Sequence, residues 1–336
     1  MRIGQLIWDR IWWKRLIKVG GFFLIIFILC ELYLPPFSRK TVVVTIPRGA
    51  DSFKIGQILS EKKVIANGSF FALVAKILRW EKYLKAGSYE FNSPSLIEAL
   101  SKLKNGKIKV YKVTIPEGLP KWQVAEILER SGIVNKKDFL DVVNNPKIFK
   151  NDVSFPLPND SLEGYLYPDT YYFAKDEDPV KVVKKFLFRF EKVVLPLYNQ
   201  KNSKNNYSLN QIIILASIVE KEALVPSEKA IIAEVFYNRL RRGMRLRADP
   251  TVLYALGNFS ERLSLRDLKT SSFYNTYLHY GLPPGPICSP GRQSIYATIH
   301  PASVNYLYFV AKGDGTHQFS RTYKQHLKAI YKYQRG

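Results

Sequence analysis

The chain has 336 residues, 46% of them hydrophobic and 14% aromatic, which is enough apolar material for one large or several smaller folded domains and excludes a disordered chain. Lys and Arg total 51 against 28 Asp and Glu, a formal net charge of +23. This excess favours an anionic partner, although a generally Lys-rich proteome would produce it too. No nucleic-acid-binding motif is visible, so nucleic acid is not an expected partner. Two lone cysteines, four histidines without metal-ligand spacing and no phosphate-binding glycine loop predict neither a metal site nor a cofactor.

The first thirty-five residues predict a membrane anchor. Residues 1–18 hold five basic side chains and one acid, and residues 19–34 form an apolar run in which Glu31 is the single charge. The run is shorter than the roughly 20 residues of a typical spanning helix, but Trp12 and Trp13 can extend it into the interface. A cleaved signal peptide is the alternative, but no small-residue cleavage site follows. A buried core helix would not explain the basic flank.

The basic flank also predicts the orientation of this anchor. Because positive residues stay on the cytoplasmic side, residues 1–18 are expected in the cytoplasm, 19–35 across the membrane and the rest outside. The sequence therefore predicts a single-pass protein of the cytoplasmic membrane with its amino terminus inside.

The next region contains a repeat. Val44-Thr-Ile-Pro-Arg-Gly49 recurs as Val113-Thr-Ile-Pro-Glu-Gly118, and the apolar residues that follow each segment keep the same spacing. Each copy predicts a strand, two short helices and a Tyr-rich strand, the last at 83–91 and at 165–173. Residues 41–177 therefore predict a duplicated strand-helix-helix-strand unit. Its element order resembles the LysM glycan-binding module, and a duplicated scaffold without a ligand is the alternative.

The carboxyl-terminal half predicts a different domain. A helix at 178–197 and an Asn/Lys-rich linker make up residues 178–206, and a catalytic domain is expected at 207–336. In that domain we predict helices at 208–223 and 227–241, a Pro/Gly-rich loop at 281–291, a hairpin of strands 306–311 and 316–319, and a final helix capped by Ser320. The expected fold class is α+β: one transmembrane helix, the duplicated region and a mixed α/β domain.

Glu220 is the strongest candidate for catalysis. The helix that begins at Ser208 is almost wholly apolar until Glu220, so we expect that carboxylate against apolar walls, with room left by the small residues Ala216 and Ser217. Such walls raise the pKa of a carboxyl group, as a general acid requires. Glu222 lies about 200° further around the helix and is expected to be solvated. The alternative is that Glu220 only begins the polar end of the helix and pairs with a basic residue.

Several long motifs carry a family resemblance. The segments are Leu162-Glu-Gly-Tyr-Leu-Tyr-Pro-Asp-Thr-Tyr171, Leu215-Ala-Ser-Ile-Val-Glu-Lys-Glu222, Val235-Phe-Tyr-Asn-Arg-Leu240, Met244-Arg-Leu-Arg-Ala-Asp-Pro-Thr-Val252, Tyr274-Asn-Thr-Tyr277 and Gly281-Leu-Pro-Pro-Gly-Pro-Ile287. In this order they resemble the YceG-like endolytic murein transglycosylases over nearly the whole chain from about residue 40. The resemblance implies that Glu220 is the catalytic residue and that a LysM-like unit lies within the repeat. It also implies peptidoglycan glycan strands as the substrate, and work beside the penicillin-binding proteins that polymerise those strands.

Other polar residues of these motifs are candidates for substrate binding: Glu163, Asn238, Asp249, Asn275 and Thr276. They could offer hydrogen bonds to sugar hydroxyl and N-acetyl groups in a groove. Equally, Asp249 before a proline is a good turn former, and Asn238-Arg239 sits on a helix where it could only pair with an acid.

A single catalytic carboxyl group suits a lytic transglycosylase. The acid protonates the glycosidic oxygen and then, as base, accepts the proton of the C6 hydroxyl of the same sugar, which closes on C1 to leave a 1,6-anhydro end. An ordinary glycosidase needs two carboxyl groups. One alternative is therefore a muramidase-type hydrolase with Asp249 or Glu163 as the second carboxylate. The other is a non-catalytic, membrane-tethered scaffold that binds the cell wall.

Overall fold

The computed structural model describes residues 2–35, 41–200, 206–259 and 263–334, with side chains from residue 18 onward. The predicted Asn/Lys-rich linker lies partly outside the described residues. The chain forms two compact units, residues 1–111 and 112–336. Both combine helices with two-stranded sheets, so the predicted mixed α/β character is confirmed. The finer domain boundaries stay a prediction.

The first unit contains, in chain order, α1 (Arg2–Tyr33), β1 (Thr41–Ile46), α2 (Ser52–Glu61), α3 (Gly68–Ile77), β2 (Gly87–Asn92) and α4 (Leu96–Asn105). β1 and β2 are antiparallel, with Thr41 opposite Asn92. Their inward side chains, including Val44 and Tyr89, pack in one core with residues of α2, α3 and α4. The described part of the chain holds no helix whose length and hydropathy together would allow it to cross a membrane.

The second unit continues with β3 (Tyr111–Thr114), α5 (Lys121–Arg130), α6 (Lys136–Val143), β4 (Thr170–Phe173), α7 (Pro179–Asn199), α8 (Leu209–Glu222), α9 (Lys229–Arg241), α10 (Asp249–Leu256), α11 (Arg292–Ile299), β5 (Tyr308–Ala311), β6 (His317–Ser320) and α12 (Tyr323–Gln334). β3 pairs with β4, and β5 pairs with β6. Helix α8 packs against α9, α10 and α11. Its residues from Ile212 to Val219 are all buried, so it forms the centre of this unit.

The structure has the same elements in both copies of the sequence repeat. β1, α2, α3 and β2 form the first copy, and β3, α5, α6 and β4 form the second. Equivalent hydroxyl pairs link the strands, Thr45 with Ser88 at 2.8 Å and Thr114 with Thr170 at 2.9 Å. The Tyr-rich strands are shorter than predicted: β2 begins at Gly87, where its pairing with β1 begins, and β4 begins at Thr170.

The predicted cap of the last helix is wrong. Ser320 ends β6, where it lies opposite Tyr308, and α12 begins at Tyr323. The side chain of Thr322 instead accepts a hydrogen bond from the backbone N–H of Gln325 at 3.3 Å. Ser320 therefore belongs to the β5–β6 pair, and Thr322 caps the last helix in its place.

Candidate active site

Helix α8 has a capped start and carries Glu220 in its last turn. At its start, the Ser208 hydroxyl accepts from the Gln211 N–H and the Gln211 side chain accepts from the Ser208 N–H, which together form a capping box. At its other end, Glu220 stands in the last turn with a side chain only 10% exposed. A carboxylate at a helix carboxyl end is disfavoured by the helix dipole, so other groups must stabilise it.

Three donors surround the Glu220 carboxyl group. The Ser294 hydroxyl donates to Oε2 at 2.5 Å, the Gly291 N–H donates to the same oxygen at 3.0 Å, and Lys229 Nζ lies 3.3 Å from both oxygens. The Lys229 side chain is 6% exposed, so the ion pair is buried. The expectation of apolar walls was wrong, because the next helix, α9, and the start of α11, about 70 residues away in sequence, bring polar groups to this position.

The space expected beside Ala216 and Ser217 is also filled. The Ser217 hydroxyl donates to the Ile214 carbonyl at 2.7 Å and accepts from the Ile287 N–H at 3.0 Å. Both small residues are fully buried. They thus allow the 287–291 segment to approach α8 closely, which brings Gly291 to Glu220.

Glu117 is a second carboxyl group at the site that sequence reasoning missed. The backbone hydrogen bonds Gly118 N–H to Ser289 carbonyl and Ser289 N–H to Leu119 carbonyl, both 2.9 Å, hold the end of β3 against the 289–291 segment. A Cβ atom on Gly291 would lie 2.2 Å from both Glu117 carboxylate oxygens, so the Glu117 carboxylate packs directly against Gly291 and a larger residue there would displace it. Burial, followed by the negative charge of Glu220, raises the pKa of Glu117. Comparison of the two repeat copies could have found it, since Glu117 replaces Arg48 of the first copy.

The expectation that Glu222 is solvated was also wrong. Its side chain lies partly buried in the wall of a cavity of about 730 Å³, and that cavity is also lined by Asp249 and Arg239. Burial, and then the charge of Asp249, raise the pKa of Glu222 to about 8, while Arg239 opposes the rise. The helical angle gave the right direction for this side chain, opposite to Glu220, but could not show that the 244–249 segment covers that side.

Glu163 is buried and holds helix α5. Its two carboxylate oxygens accept from the Lys121 N–H at 3.1 Å each, and Oε2 also accepts from the Tyr254 hydroxyl at 3.1 Å. Burial raises the pKa of Glu163 to about 7, and these hydrogen bonds partly offset that rise. These contacts describe a structural anchor, and a role in substrate binding stays a prediction.

The amide and hydroxyl candidates make contacts within the fold. Asn238 Nδ2 donates to the carbonyls of Val304 and Tyr306, and Asn275 Nδ2 donates to those of Leu268 and Thr270, all within 3.0 Å. Thr276 Oγ1 bonds Ala248 N–H and Thr251 Oγ1, both at 2.9 Å.

Asp249 differs from these candidates because it is exposed. It accepts from the Tyr277 hydroxyl at 2.5 Å and lines the cavity beside Glu222. Substrate contacts by any of the predicted binding residues stay a prediction. Among the described residues, no group of three or more His, Cys, Asp or Glu side chains could hold a metal ion.

Comparison with known proteins identifies the family. The YceG-like family matches residues 44–332. An endolytic murein transglycosylase of Bacillus subtilis is 34% identical over 88% of this chain and 86% of its own length. One of Streptococcus pneumoniae is 31% identical over 88% of this chain and 59% of its own length. The crystal structure of a yceG-like protein from Listeria monocytogenes, 35% identical, superposes with a TM-score of 0.58 over 87% of this chain and 99% of that one. On this evidence the chain belongs to the YceG-like family.

Proposed function

We propose that this protein is an endolytic murein transglycosylase, which cuts the bond between N-acetylmuramic acid and N-acetylglucosamine inside glycan strands and leaves 1,6-anhydro ends. The observation that carries the proposal is Glu220, a carboxyl group held in one orientation by Ser294, Gly291 and Lys229 at the end of a buried helix. Two relatives that share about a third of its sequence are named for this activity.

We infer different tasks for the two oxygens of Glu220 from the donors that surround each of them. Lys229 Nζ lies 3.3 Å from both oxygens, whereas Ser294 and Gly291 donate to Oε2, so within the described residues Oε1 has the fewer donors. Oε1 therefore carries the proton that goes to the glycosidic oxygen. After the bond breaks, the same carboxylate accepts the proton of the C6 hydroxyl, and that oxygen closes on C1. Donors already in place need no reorganisation as negative charge returns to Glu220.

A two-carboxylate hydrolase is the second candidate, and Glu117 is the observation that favours it. Neither Glu163, which anchors α5, nor Asp249, which lines the cavity with Glu222, is the carboxylate found beside Glu220. Both Glu117 and Glu220 approach Gly291, one at its Cα and the other at its N–H. In a hydrolase, the second carboxylate would activate a water molecule for attack at C1.

The products distinguish these two functions. We would incubate the protein with uncross-linked glycan strands and weigh the fragments by mass spectrometry. A transglycosylase gives anhydro ends that are one water lighter than hydrolysis products and resist borohydride reduction. Endolytic cutting should lower the mean strand length early, before disaccharides appear. Reducible ends would establish the hydrolase, and uncut strands retained by the protein would favour a wall-binding scaffold.

We further propose that α1 anchors the protein in the cytoplasmic membrane, with the remaining chain outside. Its basic flank supports this, and so do the exposed apolar side chains from Phe22 to Phe27, several of them about 60% accessible. A contiguous exposed apolar surface of this kind favours a lipid or protein environment. A reporter that is active only outside the cytoplasm, fused at the carboxyl end, should be active. An inactive reporter would contradict both the proposed membrane anchor and the proposed access of the protein to the cell wall.

The proposed cellular role is to end the elongation of nascent strands beside the penicillin-binding proteins that make them. Internal cutting by an anchored enzyme supports this role, because it acts on strands near the membrane where they are polymerised. Membrane cross-linking followed by a pull-down should recover a peptidoglycan synthase. Recovery of the protein without a synthase would contradict the proposed partnership with penicillin-binding proteins but not the proposed cleavage reaction.

A further inference from the structure

A polar cavity lies at the end of α8, on the side of the helix away from Glu220. It measures about 730 Å³, and Glu222 lies in its wall. The cavity is lined mainly by the segments 244–249 and 277–280, by β5 and by α12. All of its lining residues belong to the second unit. The mechanism proposed above uses none of these side chains, and this size is typical of ligand pockets.

Two buried nitrogen atoms in this wall have no hydrogen-bond partner among the described residues. They are Nε of Arg245 and Nδ1 of His326. Both side chains are held in place by aromatic rings: the Arg245 guanidinium lies 4.6 Å from the centre of the Tyr280 ring, and the His326 ring stacks on Tyr308 at 5.1 Å. Buried polar atoms in native proteins are normally paired, so two unpaired ones in a single cavity indicate a ligand that would satisfy them.

The cavity is built to attract negative charge. Arg239, Arg245 and Arg247 supply three guanidinium groups against the two carboxyl groups of Glu222 and Asp249, and the pKa of Glu222 is raised to about 8. Arg239 already donates to the carbonyls of Leu307 and Leu246. Arg245 and Arg247 are therefore the cations available for an incoming anion.

Backbone strain marks the same segment. Arg247 has φ +47°, in the left-handed region that residues with a side chain rarely adopt, and its N–H donates to the Thr276 carbonyl. Such strain persists where the surrounding structure requires it, and it concentrates at ligand sites. Here it sets the direction of the chain between Arg245 and Asp249.

We propose that this cavity binds the short stem peptide that the glycan strand carries on its muramic acid residues. The inference rests on the proposed function, because it takes the glycan strand as the substrate. The sugars of that strand are uncharged, so the carboxylates of its peptides are the groups that Arg245 and Arg247 would recognise. Asp249 can accept from an amino group on the same peptide. Glu222 and Glu220 lie two residues apart on α8 but on opposite sides of it, so the cavity is about one helix diameter, roughly 10 Å, from the catalytic carboxyl group. An extended peptide of four residues can span that distance.

The first test compares strands that carry stem peptides with the same strands after an amidase has removed them. For the full-length protein, Arg245→Gln and Arg247→Gln should each raise KM for peptide-bearing strands about tenfold or more, since hydrogen bonds to charged groups are strong. KM for stripped strands should stay unchanged. The matched control is Arg242→Gln, which removes an exposed arginine that does not line the cavity. If Arg245→Gln does not fold, Arg247→Gln, at an exposed residue, provides the test.

The second test measures binding without turnover. The full-length Glu220→Gln protein is titrated by calorimetry with a synthetic stem tetrapeptide and, separately, with inorganic phosphate. Peptide binding that Arg245→Gln abolishes supports the proposal. Phosphate binding without peptide binding overturns it and indicates a site for an anionic wall polymer, and equal KM values for the two kinds of strand overturn it as well. If the wild-type protein cuts neither kind of strand, the proposed function fails, while the titration still decides what the cavity binds.

Discussion

The buried ion pair between Glu220 and Lys229 allows catalysis to be separated from stability. The Glu220 and Lys229 side chains are 10% and 6% exposed. Glu220→Gln keeps the size of the side chain but leaves the Lys229 ammonium beside a neutral amide. Removing one partner of a buried pair costs about 3–5 kcal/mol. Because the glutamine carbonyl can still accept one hydrogen bond, we expect the lower end, about 3 kcal/mol.

That loss should be visible in equilibrium unfolding. For a domain of 150–250 residues, about 2–4 °C of Tm accompanies each kcal/mol, so Glu220→Gln should lower Tm by roughly 6–12 °C. Lys229→Met removes the uncompensated ammonium while keeping an unbranched side chain. In the Glu220→Gln background it should restore most of the lost stability, because buried ion pairs can often be replaced by apolar groups at little cost.

Activity should follow a different pattern. General acid/base catalysis contributes about 10²- to 10⁴-fold, so turnover of glycan strands should fall by that factor in Glu220→Gln. The double variant should remain equally inactive although its stability is restored. Additive losses of stability in the double variant would show that the two groups are not coupled, and recovered turnover would show that Glu220 acts only in stability. Recovered turnover would refute the catalytic assignment of Glu220, and additive losses would refute the stabilising role of the ion pair.

Three further predictions concern the other carboxyl groups. Glu222→Gln should leave turnover of stripped strands almost unchanged, and a loss as large as that of Glu220→Gln would transfer the catalytic role to the cavity side of α8. Burial and the charge of Glu220 both raise the pKa of Glu117, so Glu220→Gln should lower the pKa of Glu117. A carbon-13 NMR titration measures this pKa, and an unchanged value would mean that the two carboxyl groups lie further apart. Glu163 has its pKa raised from 4.5 to about 7, so the stability that its neutral form provides is fully present below pH 4.5 and lost as the pH rises through 7. The difference between the free energies of unfolding of wild type and Glu163→Gln, measured in urea, should therefore shrink by about 3 kcal/mol between pH 4.5 and 8. A difference that does not change with pH would contradict the burial argument.

The sequence correctly predicted the helix boundaries that depend on interactions between residues close together in the chain. Helix α8 begins after Ser208 as expected, because the capping box is formed by residues three apart. Helix α7 was predicted at 178–197 and observed at Pro179–Asn199, because its apolar residues follow the helical period. The duplicated elements were predicted from the recurrence of the 44–49 segment at 113–118 and from the equal spacing of the apolar residues that follow each copy.

The surroundings of Glu220 could not be predicted from its own helix. Lys229 reaches it from the next helix, and Gly291 and Ser294 reach it from about 70 residues away along the chain. Hydrophobic periodicity shows which side of a helix is buried, but it does not show whether the covering residues are polar. The same limit explains Glu222, which points as the helical angle predicts but into a cavity wall that other segments form.

The repeat itself offers one more test of the site. Gly49 and Gly118 occupy equivalent turns with φ of +78° and +76°, so the backbone is conserved between the copies while Arg48 and Glu117 differ. Glu117→Arg gives the second copy the side chain of the first and places a guanidinium group beside Gly291, where it competes with Lys229 for Glu220. We expect turnover to fall roughly tenfold or more, about 1.4 kcal/mol in transition-state stabilisation. Arg48→Glu makes the reverse change at the equivalent turn of the first copy and should leave turnover unchanged. Equal losses in both variants would mean that the turn has only a structural role, and that Glu117 gained no function when the two copies diverged.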